Sequence, residues 1–221
     1  YLYQLSNYNK VVLQRNKLLK ELYLHPDYRE VLDVLDMQLV QYGSALIQRR
    51  QTFAEELGEI VHRIHSQLSG GQEEMELKYE PNVTVDAFAQ MLFSNRERDM
   101  RLKTTATGPH RDDISFVVNG VDIRKFGSQG QQRTAALSLK LSEIELVKRL
   151  IGDTPVLLLD DVLSELDSGR QNYLLNSIEN IQTLITCTGL DEFVNHRFSI
   201  NRIYKVTDGS VTVENKQEAD R

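Results

Sequence analysis

The chain has 221 residues, 40% of them hydrophobic and 26% charged, with a formal net charge of −6. That suits one large or two small globular domains. It excludes a membrane helix, because no apolar run approaches the ~20 residues needed, and an internal disulfide, because Cys187 is the only cysteine. The acidic balance argues against a DNA-binding face over the whole chain, since phosphate neutralisation needs clustered Lys and Arg.

Residues 2–22 place Leu5, Tyr8, Val12, Leu19 and Leu22 at helical spacing, which predicts a helix. Pro26 ends it, because a proline disfavours helix in the residue before it. Asp27, with Glu30 three residues on, makes a capping-box-like start for a second helix. There Tyr28, Leu32, Leu35, Leu39, Tyr42, Leu46, Phe53, Leu57, Ile60, Ile64 and Leu68 step by three and four, with the Arg49 slot filled by a charge. Such a helix is roughly 60 Å long at 1.5 Å per residue. Its 3.5-residue period suits packing on another helix, with residues 2–22 the expected antiparallel partner. Ser69-Gly70-Gly71 end it. A scaffold hairpin and a dedicated partner-binding arm both fit the pattern.

Beyond Gly71 the texture changes. Met75, Leu77 and Tyr79 alternate with charged residues, as in a half-buried strand. Thr84 is a cap for a helix running to about residue 102. A polar loop, Thr104 to Asp113, precedes a hairpin of Ile114–Val118 and Val121–Phe126 around Asn119-Gly120, a strong turn signal. Gln129 to Ile151 is helical, with Leu137, Leu141, Ile144, Val147 and Ile151 on one face. Pro155 to Asp160 is a continuous apolar run ending in acid, and Thr183 to Thr188 a second. Both predict strands buried on both faces of a parallel sheet. Leu163 to Asn180 is predicted helical between them. Ile203 to Val213, broken at Asp208-Gly209, predicts a closing hairpin, and the polar tail 214–221 is expected to be disordered.

Arg49-Arg50 and Arg96, Arg98, Arg101 and Lys103 are candidates for a local basic patch, with a solvated helix face as the competing reading. Two further places carry chemistry. Strands of open α/β sheets present ligands at their carboxyl ends. Asp160 there is placed to hold Mg²⁺, and Asp161 to orient an attacking water. The competing reading is an acidic helix N-terminus. Gly127-Ser128-Gln129-Gly130-Gln131 opens a helix directly after a strand. Ser128 is a natural N-cap, Gly130 permits close approach, and free first-turn amides suit an anion. Plain helix capping is the alternative. His110-Arg111-Asp112-Asp113 has poor metal-ligand spacing and reads as a structural or phosphate-facing loop.

Ser128 to Gln131 resembles the signature motif of ABC-type ATPases. Val156 to Asp161 resembles their Walker B strand, and Ser164-Glu165-Leu166-Asp167 their D-loop, in the right order and spacing. Thr107-Gly108-Pro109-His110-Arg111-Asp112-Asp113, followed by Gln129-Gly130-Gln131-Gln132-Arg133, is similar to the RecF family specifically. The resemblance implies an α/β fold: a partial ABC-type ATPase lobe, with parallel sheet, helices and β-hairpins, plus an α-helical arm lobe. Residues 1–70 would be the arm. Residues 71–213 would be the carboxy-terminal part of the ATPase lobe, with a helical insertion near 84–102. It also implies Asp160 on the Mg²⁺ of ATP and Asp161 as the catalytic carboxylate. Ser128, Gln129, Gly130 and Gln131 would meet the nucleotide of a second subunit, with Asp167 across the dimer interface. The histidine switch that the resemblance implies after the next strand is absent or replaced here, where the chain has Thr186-Cys187-Thr188, and Thr188 is the candidate nucleotide contact of that region.

The implied function is an ATP-dependent DNA-binding protein of recombinational repair, linked to replication and the SOS response, with slow ATP hydrolysis. It would act as an ATP-sandwich homodimer on double-stranded DNA at gap junctions, with RecR and RecO loading the recombinase. The cytoplasm is expected, since no basic-then-apolar leader opens the chain. A phosphate-binding loop needs Gly-Lys-Ser/Thr, and the sequence has no Gly-Lys pair. The chain, which starts at Tyr1, is therefore expected to be a fragment that binds ATP poorly and hydrolyses none alone. The alternatives are a non-enzymatic helical interaction module and another SMC-like chromosome-maintenance ATPase, which needs longer coiled coils than residues 2–68 allow.

Overall fold

The computed structural model describes residues 1–22, 29–163, 166–188 and 200–214. The expected Pro26 stop and Asp27 cap lie outside them. The chain divides into two compact units, residues 1–151 and 152–221.

The first unit is built on two helices, α1 (Leu2–Glu21) and α2 (Arg29–Leu68). Tyr1 meets Arg50, Tyr8 lies beside Gly43, and Arg15 meets Asp36. Partner numbers fall on one helix as they rise on the other, so the pair is antiparallel, as predicted. Leu18 and Leu19 of α1, Leu22 just past its end, and Leu32, Leu35, Leu39 and Leu46 of α2 are buried in the shared core. The helical face of α2 departs from the 3.5-residue step in its middle. Arg49 is exposed and Arg50 takes the inward slot, while Phe53 is 43% exposed and Ala54 is buried in its place. A straight helix turns every 3.6 residues, so a stripe counted at 3.5 drifts off the buried face over this length.

The second half of α2 packs on strand β1 (Met75–Glu80) and on helix α6 (Gln129–Ile151). β1 pairs antiparallel with β2 (Asp113–Val118), from Met75↔Val118 to Glu80↔Asp113, and β2 pairs with the short β3 (Val121–Asp122). The turn residues Asn119 and Gly120 have φ of 47° and 82°, the left-handed pair a tight hairpin requires. The predicted second arm to Phe126 is cut short. The Asp122 carboxylate accepts the Arg124 amide at 3.0 Å and caps α5 (Ile123–Phe126) instead.

The predicted helix to residue 102 is two helices, α3 (Val85–Ser94) and α4 (Arg96–Leu102). Asn95 breaks it in a bridge conformation, its side-chain amide donated to the Thr107 hydroxyl at 2.9 Å. α6 matches its predicted limits, although Ile151 is exposed. Its buried side also includes Thr134, Ser138 and Ser142, whose hydroxyls each donate to the carbonyl four residues back, at 2.8, 2.8 and 2.6 Å. Those hydroxyls cost little to bury because the helix itself satisfies them.

In the second unit, β4 (Leu157–Asp160) runs parallel to β5 (Thr183–Thr186), with Asp160 opposite Thr186. Burial on both faces was the expectation, and the structure corrects it. Leu159 is buried, but Leu158 is 71% and Leu184 56% exposed. Among the described residues this sheet has only these two strands. Helix α7 (Ser168–Ser177) starts five residues later than predicted because Asp167 caps it, accepting the Arg170 amide at 3.0 Å. Ser164 and Glu165 lie outside the described residues. The closing hairpin is present as β6 (Ile203–Thr207) and β7 (Ser210–Glu214) around Asp208-Gly209. Tyr204 faces Val213 across it and Val206 faces Val211, all four exposed. Of the tail, residues 215–221 lie outside the described residues. No described helix is long and apolar enough to cross a membrane.

Candidate functional site

The signature-like segment forms a reciprocal cap. The Ser128 hydroxyl accepts the Gln131 amide at 3.2 Å, and the Gln131 side-chain carbonyl accepts the Ser128 amide at 3.1 Å. A Ser at the cap with Gln three residues on is the capping-box pattern. Gln129 and Gly130 fill the first turn between them and are exposed, and first-turn amides have no intrahelical acceptor. A Cβ on Gly130 would meet only the Ser128 hydroxyl, at 3.9 Å, so the approach is open. Gly127 is the reverse case, with 2.6 Å from a built Cβ to the Ile123 carbonyl. Capping and an open first turn therefore coexist in one segment.

Behind this cap stands a polar chain that sequence reasoning missed. The Gln131 side-chain amide donates to Glu73 at 3.0 Å. The other Glu73 oxygen lies 3.2 Å from His65 Nε2, and His65 Nδ1 lies 2.9 Å from the Ser138 hydroxyl. His65, in the last turn of α2, is fully buried. Residues 58 positions apart give no local signal for such a contact.

The Walker B-like strand delivers Asp160 and Asp161 to an exposed edge. The Thr186 hydroxyl donates to Asp160 Oδ1, and the Asp161 amide lies 3.1 Å from the Thr186 carbonyl and 3.2 Å from its hydroxyl. Asp161 has φ of 51°, a left-handed value that Asp tolerates better than most residues. It turns the chain sharply after the strand. Thr186, not Thr188, is thus the β5 residue that touches the acid pair. Among the described residues Thr188 makes no hydrogen bond and is exposed. Asp167 is committed to its cap and to Arg170, 2.8 Å away, and those contacts hold its carboxyl below the ordinary range. Burial, and then Asp161, push the Cys187 thiol up.

The Thr104–Asp113 loop is held from several sides. The Tyr8 hydroxyl donates to His110 Nδ1 at 2.7 Å, and Nε2 lies 2.9 Å from the Thr105 carbonyl. Burial keeps the imidazole below its ordinary pKa and raises that of Tyr8. Asp112 accepts from Arg50 at 2.9 Å, from the Asn82 amide at 2.9 Å and from the Tyr79 hydroxyl. Arg50 also donates to the Pro109 carbonyl at 2.5 Å. Thr105, Thr107, His110 and Asp112 thus spend their polar groups inside the protein, while Arg111 and Asp113 are exposed. Among the described residues no group of three or more His, Cys, Asp or Glu is placed to hold a metal.

Of the basic candidates, Arg50 is paired with Asp112, and Arg96 with Asp33 at 2.5 Å and Asp36 at 2.7 Å. Arg49, Arg98, Arg101 and Lys103 are exposed, with no ion pair among the described residues.

No family model matches the chain. Curated proteins do. It is 58% identical over 217 residues to the DNA replication and repair protein RecF of Lachnospira eligens, covering 97% of this chain and 60% of that protein. The RecF of Halalkalibacterium halodurans is 44% identical over 222 residues, covering 96% and 60%. That of Clostridium perfringens is 40% identical over 216 residues, covering 96% and 59%. The chain thus spans about 60% of the length of the curated relatives it matches. Among solved structures, the recombination mediator protein RecF with ATP, in the RecFOR pathway, superposes with a TM-score of 0.84 at 34% identity, over 97% of this chain and 58% of that one.

Proposed function

This chain belongs to the RecF family, and from that premise we propose that it supplies the signature segment and the acid pair of an ATP-dependent DNA-binding protein of recombinational repair. Residues 1–70 form the arm lobe and residues 71–213 the carboxy-terminal part of the ATPase lobe. Two copies close on ATP, so that each site takes its phosphate-binding loop and acid pair from one subunit and its signature segment from the other. The closed dimer clamps double-stranded DNA at gap junctions, and RecR with RecO then loads the recombinase. Opening follows hydrolysis.

The end of β4 carries this reading. Asp160 is an exposed carboxylate at a strand terminus, and one of its oxygens is fixed by the Thr186 hydroxyl. That leaves a second hard oxygen for a cation. Mg²⁺ takes one or two carboxylates and otherwise keeps waters and phosphate oxygens, so this donor fits it without a protein cage. Bound there, the ion would neutralise charge developing on the phosphates. Asp161, one residue on, is the carboxylate that orients the attacking water. An Asp is shorter than the Glu many ABC ATPases use, so hydrolysis is slow. Ser128, Gln129, Gly130 and Gln131 offer a hydroxyl and open amides to the γ-phosphate held by the partner copy, where a helix N-terminus favours negative charge. Asp167 and Thr188 stand at the same interface, facing the partner and the nucleotide.

Sedimentation of the full-length protein tests this. Dimer with MgATP, monomer with MgADP, and monomer with MgATP for Ser128→Arg are the expected results. Normal dimerisation of Ser128→Arg, with ATP shown to bind, would reduce the signature segment to helix capping. It would favour the rival reading of a non-enzymatic helical interaction module.

A further inference from the structure

We propose that Glu73 is a positioning residue for the signature segment, holding Gln131 in the orientation that keeps the cap closed and tying that cap to the buried last turn of α2. The proposal deepens the composite-site reading above and rests on it for its effect on dimerisation.

Glu73 is unusually well fixed for a half-exposed glutamate. Gly70 and Gly71 have φ of 63° and 77° and reverse the chain after α2. The Gly71 amide donates to the Ser66 carbonyl at 2.7 Å, and the Glu73 amide to the Ser69 hydroxyl at 3.2 Å. On the other side, Asn119 of the β2–β3 turn accepts the Glu74 amide at 2.9 Å and donates its own amide to the Glu74 carbonyl at 3.0 Å. The backbone of residue 73 is therefore clamped between the end of α2 and the hairpin.

The carboxylate then forks. One oxygen takes the Gln131 side-chain amide, and the other takes His65 Nε2. A carboxylate only accepts, so His65 Nε2 carries the hydrogen that Glu73 meets, an assignment made by the network rather than by any observed hydrogen. The consequence at Gln131 is specific. A side-chain amide has two orientations, one presenting C=O and the other NH₂ to a given neighbour. The Ser128 amide is a donor, so only the orientation with C=O toward it closes the capping box. That orientation turns NH₂ toward residue 73, where an acceptor must stand. A carboxylate accepts only, so Glu73 selects the productive orientation of Gln131. In its absence both orientations are open, and one sets two donors against each other.

The test uses the full-length protein with Glu73→Ala, Glu73→Gln and, as a charge-matched control, Glu74→Ala. Glu74 is exposed, and its side chain makes no hydrogen bond among the described residues. Amide hydrogen exchange over residues 128–132 without nucleotide reads the cap directly. Loss of capping of this kind corresponds to about a 5-fold change in the local equilibrium. Glu73→Ala is expected to exchange about 5-fold faster there and to weaken ATP-dependent dimerisation by a similar factor, with ATP binding to the monomer unchanged. Glu73→Gln keeps the volume, but its single carbonyl can accept from only one of the two donors, so it falls between. Glu74→Ala behaves as wild type. Unchanged exchange in Glu73→Ala overturns the proposal, and so does faster exchange with unaltered dimerisation while Ser128→Arg blocks the dimer. Normal dimerisation of Ser128→Arg sinks the composite-site reading instead, and the exchange rates alone then decide the role of Glu73.

Discussion

Arg15 is fully buried and bridges three elements, which makes its removal the sharpest test of how the first unit is held together. Its Nε meets Asp36 at 2.6 Å, and its Nη1 meets Asp99 at 2.7 Å and the Thr105 hydroxyl at 3.0 Å. Replacement by Met keeps much of the volume and leaves the two carboxylates in different positions. Asp36 still has Arg96 at 2.7 Å. Asp99, with no exposed surface, is left with the Ala106 amide at 3.1 Å. Orphaning one buried charge costs about 3–5 kcal/mol, and losing the hydrogen bond to Thr105 about 1 kcal/mol more. Removal of Nη2, a buried donor without a partner, returns part of that. The net is about 3–5 kcal/mol. With a urea slope of about 2 kcal/mol/M the midpoint falls by about 1.5–2.5 M. Adding Asp99→Asn removes the orphaned charge and should restore more than half of the loss. A fall of less than about 0.5 M for Arg15→Met, or no recovery in the double variant, would refute the idea that Asp99 depends on this guanidinium.

Two further outcomes follow from the geometry. Burial holds the His110 imidazole below its ordinary value, so the unfolded chain binds a proton that the folded one refuses. The sign is that stability falls as pH drops below the unfolded value of about 6.5 and levels off below the native one. Urea midpoints between about pH 5 and 7.5 should show that slope in the wild type and a flatter one in His110→Gln; equal slopes would remove His110 as its source. At the acid pair, Thr186→Val deletes the hydroxyl that fixes Asp160, while Thr186→Ser keeps it. Outer-shell losses of this kind weaken metal binding about 10–100-fold, so in the full-length protein the thermal shift given by ATP with Mg²⁺ should move to higher Mg²⁺ in the Val variant alone, and an identical response in both would count against Asp160 as the ligand.

The helices and β1 could be read from the sequence because their signals are local. Leu32, Leu35, Leu39 and Leu46 mark one face of α2, and Met75, Leu77 and Tyr79 alternate as a strand must. The misreadings come from side chains that spend their hydrogen bonds locally. Asp122 and Asp167 each capture an amide and start a helix where a continued strand or an earlier helix start was expected. Arg50 rather than Arg49 faces inward because the helical repeat is 3.6 and not 3.5. At the site, the motif residues Ser128, Gln131, Asp160 and Asp161 were legible as a pattern. The contact of Thr186 with Asp160 was not legible, because only the parallel register places position 186 there. Glu73 and His65 carry no motif, and the turn at Gly70-Gly71 brings them to Gln131.

The two small sheets of residues 152–221 have a consequence for handling the protein. Two strands alone are marginal in water, and unpaired edges with apolar flanks invite pairing with another chain. Among the described residues, Leu158 and Leu184 on one sheet, and Tyr204, Val206, Val211 and Val213 on the other, form such surfaces. Warming a concentrated solution should therefore produce turbidity and dye-binding apolar surface before the helical unit melts. Precipitation of this chain would measure the stickiness of those strands rather than the strength of its core.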